Sequence, residues 1–172
     1  LLLFGLTSSF LRTRERALAL ASRMTHALSE SEQRFDLAVQ GSTQGIWERR
    51  YPNDNAHATS AENAYFSPRF REMLGLGDSE LASRFEAFEE LIHPLHRELF
   101  ASAMTAHVLH HKRFEVDVRL RTRSDGFRWF RIRGQAQWDD AGRPLRMAGS
   151  LLDINERRES MDALRLSEQR LK

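Results

Sequence analysis

Three observations predict an α+β fold for this chain of 172 residues. Apolar and polar residues alternate strictly from Phe114 to Arg121, which indicates a strand with one buried face. Asp125-Gly126 then provides a hairpin turn, and a second alternating run follows it. Residues 12–40 and 155–172 contain neither proline nor glycine, which is typical of long helices. The sequence therefore predicts an antiparallel sheet between two terminal helices.

Composition excludes several kinds of protein. Charged residues make up 29% of the chain and hydrophobic residues 41%, which indicates a globular protein rather than a disordered one. The net charge is only +2, so we expect no nucleic-acid partner. There is no cysteine, which excludes disulfides, thiolate metal sites, cysteine nucleophiles and a light sensor that forms a cysteinyl-flavin adduct.

The chain begins with an apolar run, Leu1 to Leu6, and Arg12, Arg14 and Arg16 follow it closely. Apolar residues followed by arginines are typical of the cytoplasmic end of a membrane-spanning helix, although a full span takes about 20 residues. The alternative is the start of an ordinary amphipathic helix. We expect residues 1–11 to be the end of such a membrane anchor. The domain would then lie on the cytoplasmic side of an inner-membrane protein.

The two terminal helices carry imperfect coiled-coil patterns. Between residues 12 and 40, apolar residues that include Leu18, Leu28 and Phe35 recur at intervals of three and four, so this linker helix is predicted to form a homodimer. Near the other end of the chain, apolar residues again keep a heptad phase: Ile154, Met161, Leu164 and Leu171. The segment from Ala27 to Phe35 recurs in similar form from Ala163 to Leu171, which indicates a tandem array of related domains.

The first two strands lie early in the middle section of the chain. Gly45 to Tyr51 is predicted to form the first, and Ala64 to Ser67 a short second one. The polar stretch from Pro52 to Asn63 separates them and is longer than a hairpin requires. It is therefore expected to be an enlarged loop.

Helices are predicted to follow the second strand. Ser67-Pro68 favours a helix start, because serine caps a first turn and proline fits its first position. Short helical turns continue past Gly75 and Gly77, and another helical stretch covers Ser83 to Ile92. Pro94 then opens a longer helix that runs to about His111, with its apolar residues near one face.

The remaining strands form a meander. After the Asp125-Gly126 turn, alternate residues continue one apolar face: Phe130, Ile132, Gly134, Ala136 and Trp138. Residues 139–142 form another turn, and Leu145 to Leu152 is the last strand. Three consecutive antiparallel strands are therefore predicted here.

The change from strand to helix falls at Asp153-Ile154-Asn155. A sheet whose last strand runs directly into an exit helix is suited to passing on a conformational change, which favours a sensor over an enzyme. Asp153 with Glu156 resembles a capping box, so its carboxylate is predicted to cap the helix. We also expect it to act as a switch, holding Trp129 or an arginine of the meander in one signalling state.

Taken together, these residues resemble the PAS sensory domain with a trailing PAC segment, of the PAS_3-like kind. The resemblance covers about Ser31 to Arg158. It rests on the order and spacing of short motifs: Gly45-Ile46-Trp47, Tyr65-Phe66-Ser67-Pro68-Arg69-Phe70, Met73-Leu74-Gly75, Ile92-His93-Pro94, Phe114-Glu115-Val116, Asp125-Gly126, Arg128-Trp129, Gly142-Arg143-Pro144 and Asp153-Ile154-Asn155.

The resemblance implies a five-stranded antiparallel sheet with helices over one face, enclosing a cavity. Residues 41–154 would form the PAS/PAC domain, and residues 155–172 an output helix leading to a further domain. Asp153, Ile154 and Asn155 would be the signal-output residues, with Asn155 standing where the family usually has threonine. By analogy, the output domain is expected to be a histidine kinase or a diguanylate cyclase or phosphodiesterase.

The cavity is the predicted ligand site. Nine residues are expected to line it: Trp47, Phe66, Met73, Phe100, Met104, Val116, Val118, Ile132 and Met147. Aromatic and methionine side chains also pack well as a closed core, so the sequence leaves two alternatives open. Either the core is filled by protein, or it holds a small apolar ligand, a flavin or a haem.

No catalytic residue and no metal site is predicted. The paired acids at residues 89–90 and 139–140 fit a helix face and a turn, where solvated charge is ordinary. His107 and His111 are one helical turn apart, and some haem-binding relatives take iron through a histidine of this helix. At a helix C-terminus, however, histidines also meet the helix dipole and solvent favourably.

The sequence thus predicts a sensory and dimerisation module that relays a signal to a C-terminal output domain of the same chain. Two alternatives remain. One is a structural relay that binds no ligand, and the other is a haem or flavin redox sensor.

Overall fold

The structure is a computed structural model that describes residues 2–52 and 63–170, with side chains except those of residues 2–13, 162 and 166–170. It divides into two compact units, Leu1–Gly41 and Ser42–Lys172. The predicted loop at 52–63 falls almost entirely outside the described residues. None of the helices in the described ranges is long and apolar enough to cross a membrane.

The first unit is a single helix, α1 (Leu2–Gln40). Its backbone therefore includes residues 2–11 of the predicted membrane-anchor end and the whole of the predicted linker helix. The side chains of the anchor segment lie outside those described. Further along α1, Leu18, Leu28 and Phe35 are each more than half exposed, at 62%, 61% and 54%. Their role as a dimer seam stays a prediction.

The second unit contains a five-stranded antiparallel sheet in the order β2-β1-β5-β4-β3. The strands are β1 (Gly45–Arg50), β2 (Ala64–Phe66), β3 (Phe114–Arg121), β4 (Phe127–Trp138) and β5 (Pro144–Asp153). This confirms the predicted α+β class and the antiparallel meander of the last three strands. Alternation places the even-numbered apolar residues of β3 in the core and its charged residues on the outer face.

The connection between β3 and β4 contains the predicted turn at Asp125-Gly126 but is longer than those two residues. Thr122 N donates to Gly126 O (2.7 Å), which closes a five-residue loop, and Gly126 has a φ of 66°. A two-residue turn at Asp125-Gly126 would pair Ser124 with Phe127, and inward residues of β3 would then face outward residues of β4. The longer loop instead pairs Val116 with Ile132, so both point into the core.

The described part of the second unit has four helices: α2 (Pro68–Leu74), α3 (Phe85–Glu89), α4 (Pro94–His110) and α5 (Asn155–Arg170). The predicted starts at Pro68 and Pro94 are confirmed. Ser67 Oγ accepts from Phe70 N (3.2 Å), and His93 Nδ1 accepts from Leu95 N (3.2 Å).

The helix predicted between Ser83 and Ile92 is shorter in the structure. Its last residues leave the helix because Ile92 forms a bridge with Leu120, while Arg121 N donates to Leu91 O (2.9 Å). Pairing with the edge strand β3 thus replaces the final helical turn.

One face of the sheet and the helices that cover it enclose the core. The core is rich in phenylalanine, and its rings come from every part of the domain: Phe66, Phe70, Phe85, Phe88, Phe100, Phe114 and Phe130 are all buried. Among the first six of these, neighbouring ring centroids lie 4.9–6.4 Å apart. Such contacts contribute both apolar burial and favourable edge or tilted ring geometry.

Candidate functional site: the junction of the last strand and the exit helix

β5 and α5 join through an exchange of hydrogen bonds at Trp129 of β4. Ile154 N donates to Trp129 O (3.1 Å), as it would in a continuing antiparallel ladder. The carbonyl of Ile154, however, accepts from Arg158 N (3.1 Å) and so begins the helix. Asn155 Oδ1 instead accepts from Trp129 N (3.1 Å), and Asn155 Nδ2 donates to Trp129 O (3.2 Å). Both backbone groups of Trp129 are therefore paired as the chain leaves the sheet.

Asp153 is bound on both of its carboxylate oxygens. Oδ1 accepts from the backbone N (2.9 Å) and the side-chain Nδ2 (2.7 Å) of Asn155, and Oδ2 accepts from Arg128 Nη2 (3.0 Å). The backbone donor lies two residues on, which is an Asx turn rather than the capping box expected with Glu156. The sequence left two partners open for Asp153, Trp129 or an arginine of the meander. In the structure the partner is an arginine of the meander, Arg128.

The ion pair between Arg128 and Asp153 is partly exposed. Their side chains are 37% and 34% accessible, so solvent screens the attraction, and we expect it to contribute at most about 1 kcal/mol. Arg128 also contacts Asp125 in the loop before β4 (3.3 Å). The pair can therefore change partners at little cost in folding stability.

The indole of Trp129 contacts three other elements. Arg158 of α5 lies over the ring at 3.9 Å from its centroid, and Arg119 of β3 lies at 5.5 Å. The ring of His96, on α4, is 4.9 Å away. Cations over an indole face are attracted by its quadrupole, so the start of α5 is held to the sheet by more than its backbone.

Sequence reasoning did not single out His96 or Arg158 as members of this site. His96 Nδ1 accepts from Arg119 N (2.8 Å), which requires a ring without a proton on that nitrogen. Burial, together with the positive charges of Arg119, His93 and Arg158, lowers the pKa of His96 below its ordinary value of 6.5. The spacing of Arg158 could have indicated its place in the site. It lies four residues after Ile154, one helical turn into α5, and residues four apart share a helix face.

The nine predicted pocket residues all lie in or against the core. Eight of them are buried, and Met73 is half-buried. They pack with rings that the sequence analysis did not include, chiefly Phe70, Phe85 and Phe88 of α2 and α3. These rings were missed because their helices are short and carry too little periodicity to show which face is buried.

Trp47 lies flat across the middle of this core. The register places Trp47, Gly149, Gly134 and Phe114 in one row over four strands. A Cβ on Gly149 or Gly134 would lie 2.7 or 2.8 Å from Cζ2 of the indole, so both glycines make room for it. The ring edge reaches Phe114, at a centroid distance of 6.4 Å. Trp47 Nε1 is buried and has no hydrogen-bond acceptor among the described residues.

The histidines at the end of α4 have backbone partners and ring contacts. His107 Nε2 accepts from Ala136 N (2.9 Å), and its Nδ1 pairs with the carbonyl of Lys112. His111 ends the helix at a φ of 55°, with its ring 4.1 Å from that of Trp138. Both nitrogens of His107 are therefore engaged, which does not fit a role as an iron or metal ligand. Within the described ranges, no three acidic or imidazole groups are placed to hold a metal ion.

The acidic pairs contact their own neighbours. Glu89 lies 3.9 Å from Arg49, and Glu90 lies 3.5 Å from Arg84. Asp139 Oδ1 accepts from two backbone N–H groups of the turn between β4 and β5, at 2.8 and 3.0 Å. These contacts give the carboxylates structural roles.

Comparisons with known proteins agree with this architecture. Residues 63–151, more than half of the chain, match the PAS_3 family, whose description is the PAS fold. The crystal structure of a sensory box histidine kinase/response regulator from Burkholderia thailandensis is 38% identical, with a TM-score of 0.63. The match covers 80% of this chain and 97% of that one.

Two further matches are more distant. The N-terminal domain of a diguanylate cyclase with a PAS/PAC sensor from Marinobacter aquaeolei shares the fold, at 18% identity and a TM-score of 0.55, over 67% of this chain and 98% of that one. The sensor protein FixL of Bradyrhizobium diazoefficiens is 28% identical over 152 residues, or 88% of this chain. The chain spans 28% of the length of FixL and 54% of an uncharacterised Pseudomonas chlororaphis protein. This chain belongs to the PAS fold family and is a PAS sensory domain.

Proposed function

We propose that this domain relays a signal from its sheet, through α5, to an output domain that follows in the same protein. The observation that carries the proposal is the double use of Trp129. Its backbone pairs with Ile154 and Asn155 at the start of α5, and its indole contacts Arg158 in the first turn. A shift of β4 at this point alters the hydrogen bonds that begin the helix, so the direction of α5 follows the state of the sheet.

The output domain is proposed from the relatives. Two of them are named as a histidine kinase and a diguanylate cyclase, so a phosphotransfer or cyclic-nucleotide output fits best. The domain itself would carry no catalysis. The apolar run and the arginines at the start of the chain, together with an output of this kind, favour a sensor placed on the cytoplasmic side of an inner membrane.

Dimerisation through the two terminal helices is part of the proposal. Leu28 on α1 and Met161 and Leu164 on α5 are 61%, 52% and 61% exposed, at positions that keep the heptad phase. Analytical ultracentrifugation of the chain tests this directly. Leu28→Glu should dissociate the dimer, whereas Leu20→Glu should not, because Leu20 is as exposed (60%) but lies off the seam. Equal behaviour of the two variants contradicts a seam through Leu28.

The relay is tested in the full-length protein by removing each acidic partner of Arg128 in turn. Asp153→Ala breaks the Arg128 contact at the junction together with two hydrogen bonds from Asn155. Asp125→Ala breaks the Arg128 contact in the loop and is the control for loss of one acidic partner. We expect the first variant to change output activity severalfold while the urea midpoint of the domain changes little, and the second to leave both unchanged. If output and stability fall together in Asp153→Ala, the carboxylate is only a structural element.

A second candidate function is ligand sensing in the core. Trp47 Nε1 favours it, because a buried indole N–H without an acceptor costs about 1–3 kcal/mol and a bound oxygen or nitrogen acceptor would recover that energy. Native mass spectrometry of the purified chain tests this candidate. Excess mass that disappears in Trp47→Phe supports a ligand at this site. A mass equal to that of the chain alone favours the ligand-free relay.

The haem and flavin alternatives are tested on the same sample. A haem or flavin would give visible absorbance, and His107 offers no free nitrogen to a haem iron. Absorbance that survives His107→Gln would place any cofactor elsewhere in the domain.

A further inference from the structure

A cleft of about 330 Å³ lies between the outer face of the sheet and the first three turns of α5. Its floor includes Ile154 and Met161, and most of its remaining lining is arginine. Arg131 comes from β4, and the other three arginines come from α5: Arg157, Arg158 and Arg165. The cleft lies on the side of the sheet opposite the core, so it is separate from the candidate ligand site at Trp47.

Positive charge exceeds negative charge in this cleft. Its lining has four guanidinium groups and one carboxylate, that of Asp117. Arg131 binds Asp117 with two hydrogen bonds, at 2.7 and 3.0 Å, and Arg158 Nη2 donates to the same carboxylate at 3.3 Å. The hydrogen bond from Arg131 holds the pKa of Asp117 below its ordinary value, so this carboxylate is already ionised and fully engaged.

Among the side chains that the structure describes, the remaining two arginines have no such partner. Arg157 and Arg165 make no hydrogen bond or ion pair with any of the side chains that the structure describes. An isolated exposed arginine needs no partner, because water solvates it. Four arginines around one cleft differ from an isolated one, because their positive charges repel each other. The apolar lining residues strengthen the electrostatic field of these charges inside the cleft. An anion in the cleft would relieve this repulsion.

We propose that this cleft binds a small phosphorylated molecule through its phosphate groups. An excess of positive charge remains after Glu115, which lies 3.7 Å from Arg131, is counted, and this suits adjacent phosphates better than one carboxylate. Guanidinium forks also bind phosphate oxygens in pairs. The volume is at the lower end of the range for small-molecule sites, which is about 300–1,000 Å³. Met161, which is half-exposed, offers an apolar surface for the rest of the ligand.

Part of the site is already ordered. Arg131 is fixed by Asp117, and Arg158 is fixed by Asp117 and by the indole of Trp129. Only Arg157 and Arg165 have to be ordered on binding, which limits the entropy lost. The inference does not depend on the relay, because the cleft binds or fails to bind irrespective of what α5 transmits.

The test is calorimetric titration of the whole chain with inorganic pyrophosphate, ADP and adenosine at low salt. We expect saturable binding of pyrophosphate and ADP, no binding of adenosine, and weaker binding as salt is added. Arg157→Gln/Arg165→Gln should reduce affinity at least about tenfold, since it removes the charge-assisted hydrogen bonds that these two arginines would donate to the phosphates. Arg16→Gln/Arg23→Gln removes the same charge from exposed positions on α1 and should leave the affinity unchanged.

A vesicle arm distinguishes the source of the phosphate. Co-sedimentation with phosphatidic acid vesicles that is lost in the α5 double variant assigns the site to lipid headgroups, and ADP binding without co-sedimentation assigns it to soluble molecules. The proposal is overturned if none of the probes binds saturably. Equal loss of affinity in the two double variants also overturns it, because net charge alone would then explain the binding.

Discussion

The side-chain oxygen of Asn155 occupies the acceptor position that a backbone carbonyl would otherwise hold opposite Trp129 N (3.1 Å). This substitution frees the Ile154 carbonyl to accept the first hydrogen bond of α5. A carboxamide suits the position because its nitrogen can donate to Trp129 O and to Asp153 at the same time. Three hydrogen bonds at one corner of the sheet therefore depend on a single side chain.

Asn155→Ala should expose this dependence. Without Oδ1, the Trp129 N–H loses its acceptor, so we expect a loss of about 1–2 kcal/mol in the free energy of unfolding. Hydrogen exchange at the Trp129 amide should quicken more than at any other amide of β4. Ser160→Ala on the exposed side of α5 is the control and should change neither quantity. Unaltered protection of the Trp129 amide would contradict this account of the junction.

Gly134→Ala should destabilise the domain by about 1–3 kcal/mol, because the new Cβ would lie 2.8 Å from the Trp47 indole and 2.7 Å from Met147 Cε. Chemical denaturation measures the loss. In a Trp47→Phe background the smaller ring relieves one of the two clashes, so the added cost of Gly134→Ala should shrink. Gly77→Ala serves as the control, since its Cβ would meet only the flexible end of Glu80 at 3.2 Å. Strict additivity of the two core substitutions would be inconsistent with the packing described.

His107→Ala should cost about 3 kcal/mol, because it removes a buried ring and leaves the Ala136 N–H without its acceptor. Thermal and urea unfolding measure the change. His110→Ala, on the exposed side of the same turn, should change stability by less than about 0.5 kcal/mol. A similar small effect for both histidines would show that the His107 hydrogen bonds contribute nothing net.

Mild acid should weaken the domain through His96. Its pKa is lowered in the folded protein by burial and by nearby cations, so the unfolded chain binds a proton more readily. This contribution to stability is complete above about pH 6.5 and is lost as the pH falls from there toward the lower folded value. Urea midpoints measured between pH 8 and pH 5 should therefore fall.

His96→Asn is the matched variant, because its side-chain oxygen can still accept from Arg119 N but does not titrate. Its midpoint should depend less steeply on pH, with a residual slope because the pKa of His93 is also lowered, by burial and by Arg119 and Arg97. The carboxylates of Glu115 and Asp117 have lowered pKa values and affect stability only in more acidic solution. Burial raises the pKa of Glu89, which offsets part of the fall near pH 5 in the variant and the unmodified chain alike. An identical pH slope in the variant and the unmodified chain would rule out His96 as the group responsible.

The sheet was predictable because its strands carry one apolar face. The alternation from Phe114 to Leu120 fixes which residues point inward, and any pairing with β4 must match inward with inward. The same rule excludes a two-residue turn at Asp125-Gly126, although local turn preference alone favours it. The length of the β3–β4 connection could therefore be predicted from the sequence, but only by comparing the apolar faces of both strands.

The contacts around Trp129 were less predictable. His96 and Trp129 are far apart in sequence and come together only once α4 has packed beside β3. The pairing of Arg128 with Asp153 depends on the β4–β5 register and on the rotamers of two partly exposed side chains. Such contacts produce no periodic pattern in the sequence. Motifs and spacing therefore limited the partners of Asp153 to Trp129 or an arginine of the meander but could not choose between them.

The register of the two central strands has a mechanical consequence. β1 begins opposite the end of β5, with Gly45 paired to Leu151, and their far ends pair Arg50 with Arg146. A tensile force applied at Gly45 and Asp153 would load the hydrogen bonds between β1 and β5 one after another. It would not shear all of them at once. Separation then needs only the force that breaks one or two hydrogen bonds at a time. Small forces on the segments before Gly45 and after Asp153 would thus separate β1 from β5, beginning at the end of the sheet where α5 starts.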